Sequence, residues 1–301
     1  MRYFDDFDAW GDAVSGASLR LACDGIETCA WTLGIVDLGG VVLQVASEGG
    51  GNICYGGNAH VGTMLFLPLN HAAEHVVNGE PLDDDSLFVI PRGADFRIRV
   101  RRRAHAWCSI ALPDGGSGGD ESATASARVA CGDGAVARLR DLVRSIADTL
   151  LDRPADTVAH AAAGRTLLAA ATACLPGPRE QRVVVGRPRM DRAEIIRRSM
   201  AGLDGGSAMP TTAELARAVG VTGRTLQRTF QESFGLSPKR YLLLRELHAI
   251  RRSLQAAAAA EDATVADVLV RHGVWEFGRF AARYRRHFGE LPSETLRRFR
   301  G

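Results

Sequence analysis

From Leu19 to Leu112 the chain alternates short apolar runs with Gly, Pro, Asn and Asp: Ala30 to Leu38, Val41 to Ala46, Gly62 to Leu67, Leu87 to Ile90, Phe96 to Val100 and Trp107 to Leu112. Runs of this length, punctuated by turn formers, predict the strands of an antiparallel β-sandwich or barrel. Within Phe96-Arg97-Ile98-Arg99-Val100 apolar and basic residues alternate strictly, which predicts one buried and one wet face. Asn78-Gly79 stands between His75-Val76-Val77 and Glu80-Pro81-Leu82, and both residues tolerate positive φ, so a hairpin turn is expected there.

After a Gly/Ser-rich stretch from Asp114 to Ser126, expected to be a loop, the period becomes helical. Leu139, Leu142, Val143, Ile146 and Leu150 form one apolar stripe, and an Ala/Leu-rich helix is expected from Ala155 to Leu175, where Pro176-Gly177-Pro178 stops it. The small residues of the second helix suit either a packed pair within one subunit or a dimer interface. Arg179 to Pro188 has the polar, proline-bounded character of a linker. The expected organisation is an N-terminal domain over 1–178, a linker over 179–189 and a C-terminal domain over 190–301.

The C-terminal part reads as two similar units. Thr211-Thr212-Ala213-Glu214 has capping-box spacing, Leu215, Ala216 and Val219 give an inward face, and Gly220 supplies a turn. Thr222 caps a second helix whose Leu226 and Phe230 point inward, leaving Gly223, Arg224, Gln227 and Arg228 outside. Ser237-Pro238 starts a long helix to Gln255, with Leu243, Leu247, Ile250 and Leu254 on one side. Thr264-Val265-Ala266-Asp267 then repeats the capping pattern, Gly273 repeats the turn, and a helix beginning near Trp275-Glu276 carries Phe280, Tyr284 and Phe288 as its core stripe. Thr211 to Thr264 and Gly220 to Gly273 share one offset. Two helix-turn-helix units with Arg and Gln on their outer helices are able to offer donors to base edges in a major groove.

Charge sharpens this picture. The whole chain carries a formal +2, yet residues 1–178 hold 14 Arg against 22 acids, a net of −8, and residues 179–301 hold 22 Arg and Lys239 against 13 acids, a net of +10. A basic C-terminal part beside an acidic N-terminal part points to a polyanion-binding module joined to something else.

The stretches Glu214-Leu215-Ala216, Gly220-Val221-Thr222, Leu226-Gln227-Arg228-Thr229-Phe230, Phe234-Gly235-Leu236-Ser237-Pro238, and Tyr284 through Phe288-Gly289 to Pro292 resemble the AraC/XylS family of bacterial transcription regulators, over about Thr211 to Arg298. The resemblance implies an α+β protein: an N-terminal β-sandwich or cupin-like barrel with two helices, for effector binding and dimerisation, and an all-α DNA-binding domain with two helix-turn-helix units. It implies recognition helices in successive major grooves, roughly 34 Å apart. The family's base-contacting positions fall on Gly223, Arg224, Gln227 and Arg228, then on Phe277, Gly278 and Arg279, and on Ala282, where relatives often carry Arg. Arg283, Arg285 and Arg286 are expected to serve phosphates, and Phe277 to suit a thymine methyl. The implied partners are double-stranded DNA, RNA polymerase, a small-molecule effector and a second copy of the chain; the alternative is a nucleoid-type protein binding DNA without sequence preference.

The remaining chemistry is sparse. His60, His71 and His75 lack the spacing of a metal site, since four strand residues separate His71 from His75 by too much for one ion, and no metal or cofactor is expected. Trp31, Trp107, Phe66, Phe88 and Cys54 suit either a pocket lining or an ordinary core. No nucleophile elbow or phosphate loop is present, and Asp83-Asp84-Asp85 follows Pro81-Leu82 in a turn, so no enzymatic activity is expected. Six cysteines without a C-x-x-C pair suggest reduced thiols, and the acidic, aromatic start Met1 to Trp10 does not suit a signal peptide. A cytoplasmic protein without a membrane span is expected.

Overall fold

The computed structural model describes residues 1–101, 103–114, 125–152, 157–175, 191–204, 209–259 and 263–300. The expected linker over 179–189 and most of the Gly/Ser-rich loop lie outside the described residues. The chain divides into two compact units, Met1–Val183 and Val184–Gly301.

The first unit is a sandwich of two open antiparallel sheets. One runs in the order β1 (Arg2–Phe4), β3 (Trp31–Asp37), β4 (Val42–Glu48), β11 (His105–Ala111), β6 (Met64–Pro68), β9 (Ser86–Ile90) and β12 (Ala127–Ala130). The other runs β2 (Ala17–Ile26), β5 (Gly50–Asn58), β10 (Asp95–Val100), β7 (His75–Val77) and β8 (Glu80–Pro81). Helix α1 (Phe7–Ala13), capped by Asp6, adds buried Phe7 and Trp10 to the core between the sheets. The outer face of the larger sheet is covered by α2 (Ala135–Leu150) and α3 (Thr157–Ala173).

Both faces of the larger sheet are therefore dry. On β6, Met64 and Phe66 face the inter-sheet core while Leu65 and Leu67 face the helices; on β9, Phe88 and Ile90 face inward and Leu87 and Val89 outward. This is why these strands read as unbroken apolar runs, since neither side of the pleat meets water. The α2 stripe of Val136, Leu139, Val143, Ile146 and Leu150 is buried against that sheet, so it serves the unit's own core and is not a free dimer face. On α3, a Cβ at Gly164 would lie 1.9 Å from the Leu38 carbonyl, which explains a glycine inside a helix.

The Asn78-Gly79 hairpin forms as expected, with φ of 51° and 93° and Val77 paired with Glu80. One strand expectation needs revision. Arg97, expected on a wet face, is only 8% exposed, because β10 is an inner strand with Tyr55 opposite Arg97 in register. Strand β5 has the sequence GGNICYGGN, and its glycines lie where neighbours press close: a Cβ at Gly50 would sit 2.3 Å from the Gly25 carbonyl.

Among its described residues the second unit has only helices as regular elements: α4 (Arg192–Asp204), α5 (Thr212–Val219), α6 (Gly223–Phe234), α7 (Pro238–Ala257), α8 (Val265–Arg271), α9 (Phe277–Phe288) and α10 (Pro292–Arg298). Helices α5 and α6 form one helix-turn-helix and α8 and α9 the other, joined by α7, whose Tyr241, Leu244, Leu247, Ile250 and Leu254 are all buried. Two helices lie outside the duplicated pattern. Helix α4 buries Ile195, Ile196 and Met200, and Tyr241 Oη lies 3.2 Å from Met200 Sδ; α10 buries Leu296 in the core of the second half.

Candidate nucleic-acid interface and sandwich cavity

The two outer helices, α6 and α9, are set by local chemistry. Thr211 Oγ1 accepts from the Glu214 amide at 3.2 Å while the Thr211 amide donates to Glu214 Oε2 at 2.7 Å. Thr264 and Asp267 reproduce the arrangement at 3.2 and 3.1 Å. Gly220 and Gly273 take φ of 79° and 73°, the left-handed turn that a side chain disfavours. Thr222 Oγ1 caps α6, accepting from the Thr225 amide at 3.1 Å, and Ser237 Oγ caps α7, accepting from the Arg240 amide at 3.2 Å.

The units differ by one residue. The first helices and their turns are offset by 53 positions, but the buried faces of the outer helices, Leu226, Phe230 and Phe234 against Phe280, Tyr284 and Phe288, are offset by 54. The extra residue sits between Gly273 and Phe277, and it makes Ala282 the counterpart of Arg228. Helix α9 is held from beneath by a polar network: Tyr284 Oη to Thr295 Oγ1 at 2.8 Å, Thr295 Oγ1 to Glu290 Oε1 at 2.7 Å, and Arg251 Nη1 to the same oxygen at 2.7 Å. The Arg251 guanidinium also covers the Phe288 ring at 4.5 Å.

On the solvent side Gly223, Arg224, Gln227 and Arg228 of α6, and Phe277, Gly278, Arg279, Ala282, Arg283, Arg285 and Arg286 of α9, are all exposed. Arg228 Nε donates to Glu232 Oε1 at 2.8 Å, and Arg192 reaches the other oxygen at 2.8 Å, which holds the Glu232 carboxyl below its ordinary range. Arg279 pairs with Glu276 at 2.8 Å. Burial pushes the Glu246 carboxyl of α7 up, against the attraction of Arg283 on α9. A Cβ at Gly223 or Gly278 would meet nothing within 4 Å, so the protein's own packing does not demand glycine at either helix start.

Residues 215–298 match a family model described as a helix-turn-helix domain. Over 104 residues the chain is 38% identical to the "Probable thc operon regulatory protein" of Rhodococcus erythropolis, an alignment covering 34% of this chain and 31% of that one. Over 83 residues it is 37% identical to the XylDLEGF operon transcriptional activator of Pseudomonas putida, covering 28% and 26%. The C-terminal unit is a helix-turn-helix domain of the AraC/XylS family. The matches span about a third or less of those relatives' lengths, 31% and 26%. Among solved structures, the AraC-like transcriptional activator CuxR aligns over 89% of this chain and 96% of its own at 16% identity, with a TM-score of 0.43. A structure titled as a probable AraC family regulator from Rhodopseudomonas palustris CGA009 aligns over 36% of this chain and 98% of its own at 30% identity, with a TM-score of 0.32.

Within the AraC/XylS-type domain an exposed aromatic residue lies outside the expected set. Trp275, 73% exposed, sits two residues before α9, beside Phe277 at 39%.

The N-terminal unit holds a cavity between its sheets. Leu21, Cys54 and Phe96 line it from one side and Met64, Phe66 and Trp107 from the other. Trp31 and Phe88, also weighed as lining residues, belong to the surrounding core instead. Register pairs polar groups on neighbouring strands of the larger sheet: Gln44 beside Ser109, both lining the cavity, and Glu48, also lining it, beside His105. Gln44 is fully engaged, donating to the Ser15 carbonyl at 2.8 Å and Ser109 Oγ at 3.1 Å and accepting from the Ser15 amide at 3.1 Å. Glu48, 3% exposed, accepts on Oε1 from Trp107 Nε1 at 2.6 Å and Asn52 Nδ2 at 3.1 Å, with His105 Nε2 at 3.5 Å. Neither Glu48 nor Asn52 was singled out by the sequence pattern.

Of the three histidines considered for a metal, His60 accepts from the Gly62 amide on Nδ1 at 3.2 Å, His71 adopts a left-handed φ of 50°, and His75 is buried. Among the described residues no three His, Cys, Asp or Glu side chains are grouped to hold an ion. The His75 ring stands 5.0 Å from that of His105, and its Nδ1 lies 3.1 Å from the His71 carbonyl. Burial, with His105 adding repulsion, lowers the His75 pKa from 6.5 to about 3. In His105 burial pulls the pKa down, but Glu48 outweighs it and the net shift is upward. A lowered folded-state pKa means that the His75 contribution is intact above about pH 6.5 and is lost as pH falls toward 3, whereas the His105 contribution fades as pH rises. Between pH 6.5 and about pH 5 the His75 loss amounts to about 2 kcal/mol. His75→Gln should flatten the acid limb of the stability curve by that amount in denaturant titrations; an unchanged slope would contradict the assignment.

Proposed function

We propose that this protein is a sequence-specific transcription regulator that reads double-stranded DNA with α6 and α9 and responds to a small molecule held in the N-terminal sandwich. The observation that carries the reading is the duplicated, separately capped helix-turn-helix whose outer faces expose Arg224, Gln227 and Arg228 on one helix and Arg279, Arg283 and Arg286 on the other. Bare glycines at 223 and 278 add to it, because a helix start without a side chain lets a phosphate come close to the backbone amides. The family is one of transcription regulators rather than enzymes, and the protein is expected to turn over no substrate. In this reading it acts in the cytoplasm, forms a homodimer and engages RNA polymerase. No described helix is long and apolar enough to cross a membrane.

Titrating the full chain against its own promoter region and against random DNA, at several salt concentrations, tests the proposal. A regulator should prefer its site by at least about a thousandfold, with log affinity falling against log salt by roughly 0.9 per phosphate neutralised. Equal affinities would indicate a nucleoid-type binder instead.

Arg228 and Arg286 should behave differently in that assay. Arg228 projects from the outer face of α6 and already offers its guanidinium to a carboxylate, while Ala282 leaves the matching place on α9 empty of any donor. Arg228→Ala is expected to weaken the specific site by between about fivefold and a hundredfold, with little effect on random DNA. Arg286→Ala should weaken both alike and reduce the salt slope by about one unit. Equal losses on both DNAs for Arg228→Ala would refute its role as a base reader.

A further inference from the structure

The polar groups of the sandwich cavity are unequal. At one end Gln44 is saturated by Ser15 and Ser109 and acts as a structural seal. Four residues further along the same strand, about 13 Å away, the Glu48 end is left incomplete. Glu48 Oε2 and Asn52 Oδ1 are both buried and without a hydrogen-bond partner, although both side chains line the cavity. A buried acceptor without a donor is costly, and here two lie together, from β4 and from β5 of the facing sheet. The rest of the wall is apolar, and among the lining residues there is no Lys or Arg. Glu48 also acts on its surroundings: with burial, its charge pushes the Cys54 thiol upward.

We infer that this cavity takes a compact apolar molecule bearing a primary amine, its ammonium donating to Glu48 Oε2 and Asn52 Oδ1 and its hydrocarbon body lying among Leu21, Phe96, Met64 and Phe66. This rests on the reading of the N-terminal unit as the effector-binding part and names the ligand class for it. A carboxylate ligand is disfavoured, because its charge would face Glu48 with no cation in the wall to receive it. The cavity is small, about 50 Å³ in volume.

Three probes of nearly equal size decide the matter: n-hexylamine, 1-hexanol and hexanoate, titrated into the full-length protein without DNA, with tryptophan fluorescence as the readout because Trp10 and Trp107 line the cavity. Hexylamine should bind at least about tenfold more tightly than either of the others, and Glu48→Gln should abolish that preference. Ile98→Trp, which fills the cavity from β10, should abolish binding of all three while the protein keeps its thermal transition. Equal affinities, a preference for hexanoate, no binding, or an amine preference that survives Glu48→Gln each overturns the inference. Promoter selectivity is measured separately. If it is kept while the amine fails to bind, only the ligand class is wrong; if it is absent while the amine binds, the regulator reading fails alone.

Discussion

Ile146→Asp should unfold the N-terminal unit. Ile146 is 6% exposed on α2 and packs with Val143 and Leu150 against the outer face of the seven-stranded sheet. A carboxylate placed there loses the apolar burial of isoleucine and gains no partner, which costs at least about 4 kcal/mol, a large part of the 5–15 kcal/mol by which a domain is ordinarily stable. Calorimetry should show the transition of the N-terminal unit lost or displaced far downward, and the near-ultraviolet signal of its tryptophans weakened, while the C-terminal unit still binds random DNA. A folded, monomeric mutant would mean that the stripe is an exposed dimer face, contrary to its burial.

Phe230→Ala should do to the C-terminal unit what the first substitution does to the other. Phe230 is fully buried, with the Phe234 ring at 5.6 Å and the Tyr241 ring at 5.5 Å, so it joins α6 to α7. Removing a buried phenyl ring leaves a cavity and costs about 3–5 kcal/mol. For a unit of this size that lowers the transition temperature by roughly 10–25 °C. Binding to promoter and random DNA should be lost together as that temperature is approached, with the N-terminal transition unmoved. Arg228→Ala is the control, since its side chain is 77% exposed and should leave the transition where it is. An unshifted transition in Phe230→Ala would show that the first helix-turn-helix does not depend on this aromatic cluster.

The helix-turn-helix half was legible because its determinants are local. Thr211 with Glu214, and Thr264 with Asp267, are three residues apart; the turn glycines follow within one short helix; and the buried stripes repeat at helical spacing. Each of these choices is made by the backbone within about twenty residues, before any distant contact forms. The one-residue shift between 53 and 54 was not visible in the caps. It emerges only when the stripes of α6 and α9 are aligned by what they bury, and it turns Ala282 from an isolated departure into the missing counterpart of Arg228.

The sandwich was legible as a set of strands and illegible as a site. Period-two alternation puts Gln44, Ala46 and Glu48 on one face of β4, but it does not say which face is dry or what stands opposite. That was settled by pairing across the fold: Gln44 meets Ser109 and Glu48 meets His105, and Asn52 reaches Glu48 from the other sheet. The same holds for β5, whose glycines are explained only once Gly25 and Gly50 are brought together, and for the α2 stripe, which is equally apolar whether it meets a second copy or its own sheet. The sequence by itself determined the duplicated helix-turn-helix and the polarity of its outer faces, because capping, turn and periodicity are short-range. Only the tertiary structure decided that α2 is core, that Glu48 and Asn52 share a cavity, and that their free acceptors lie together, because register and burial depend on partners many residues away.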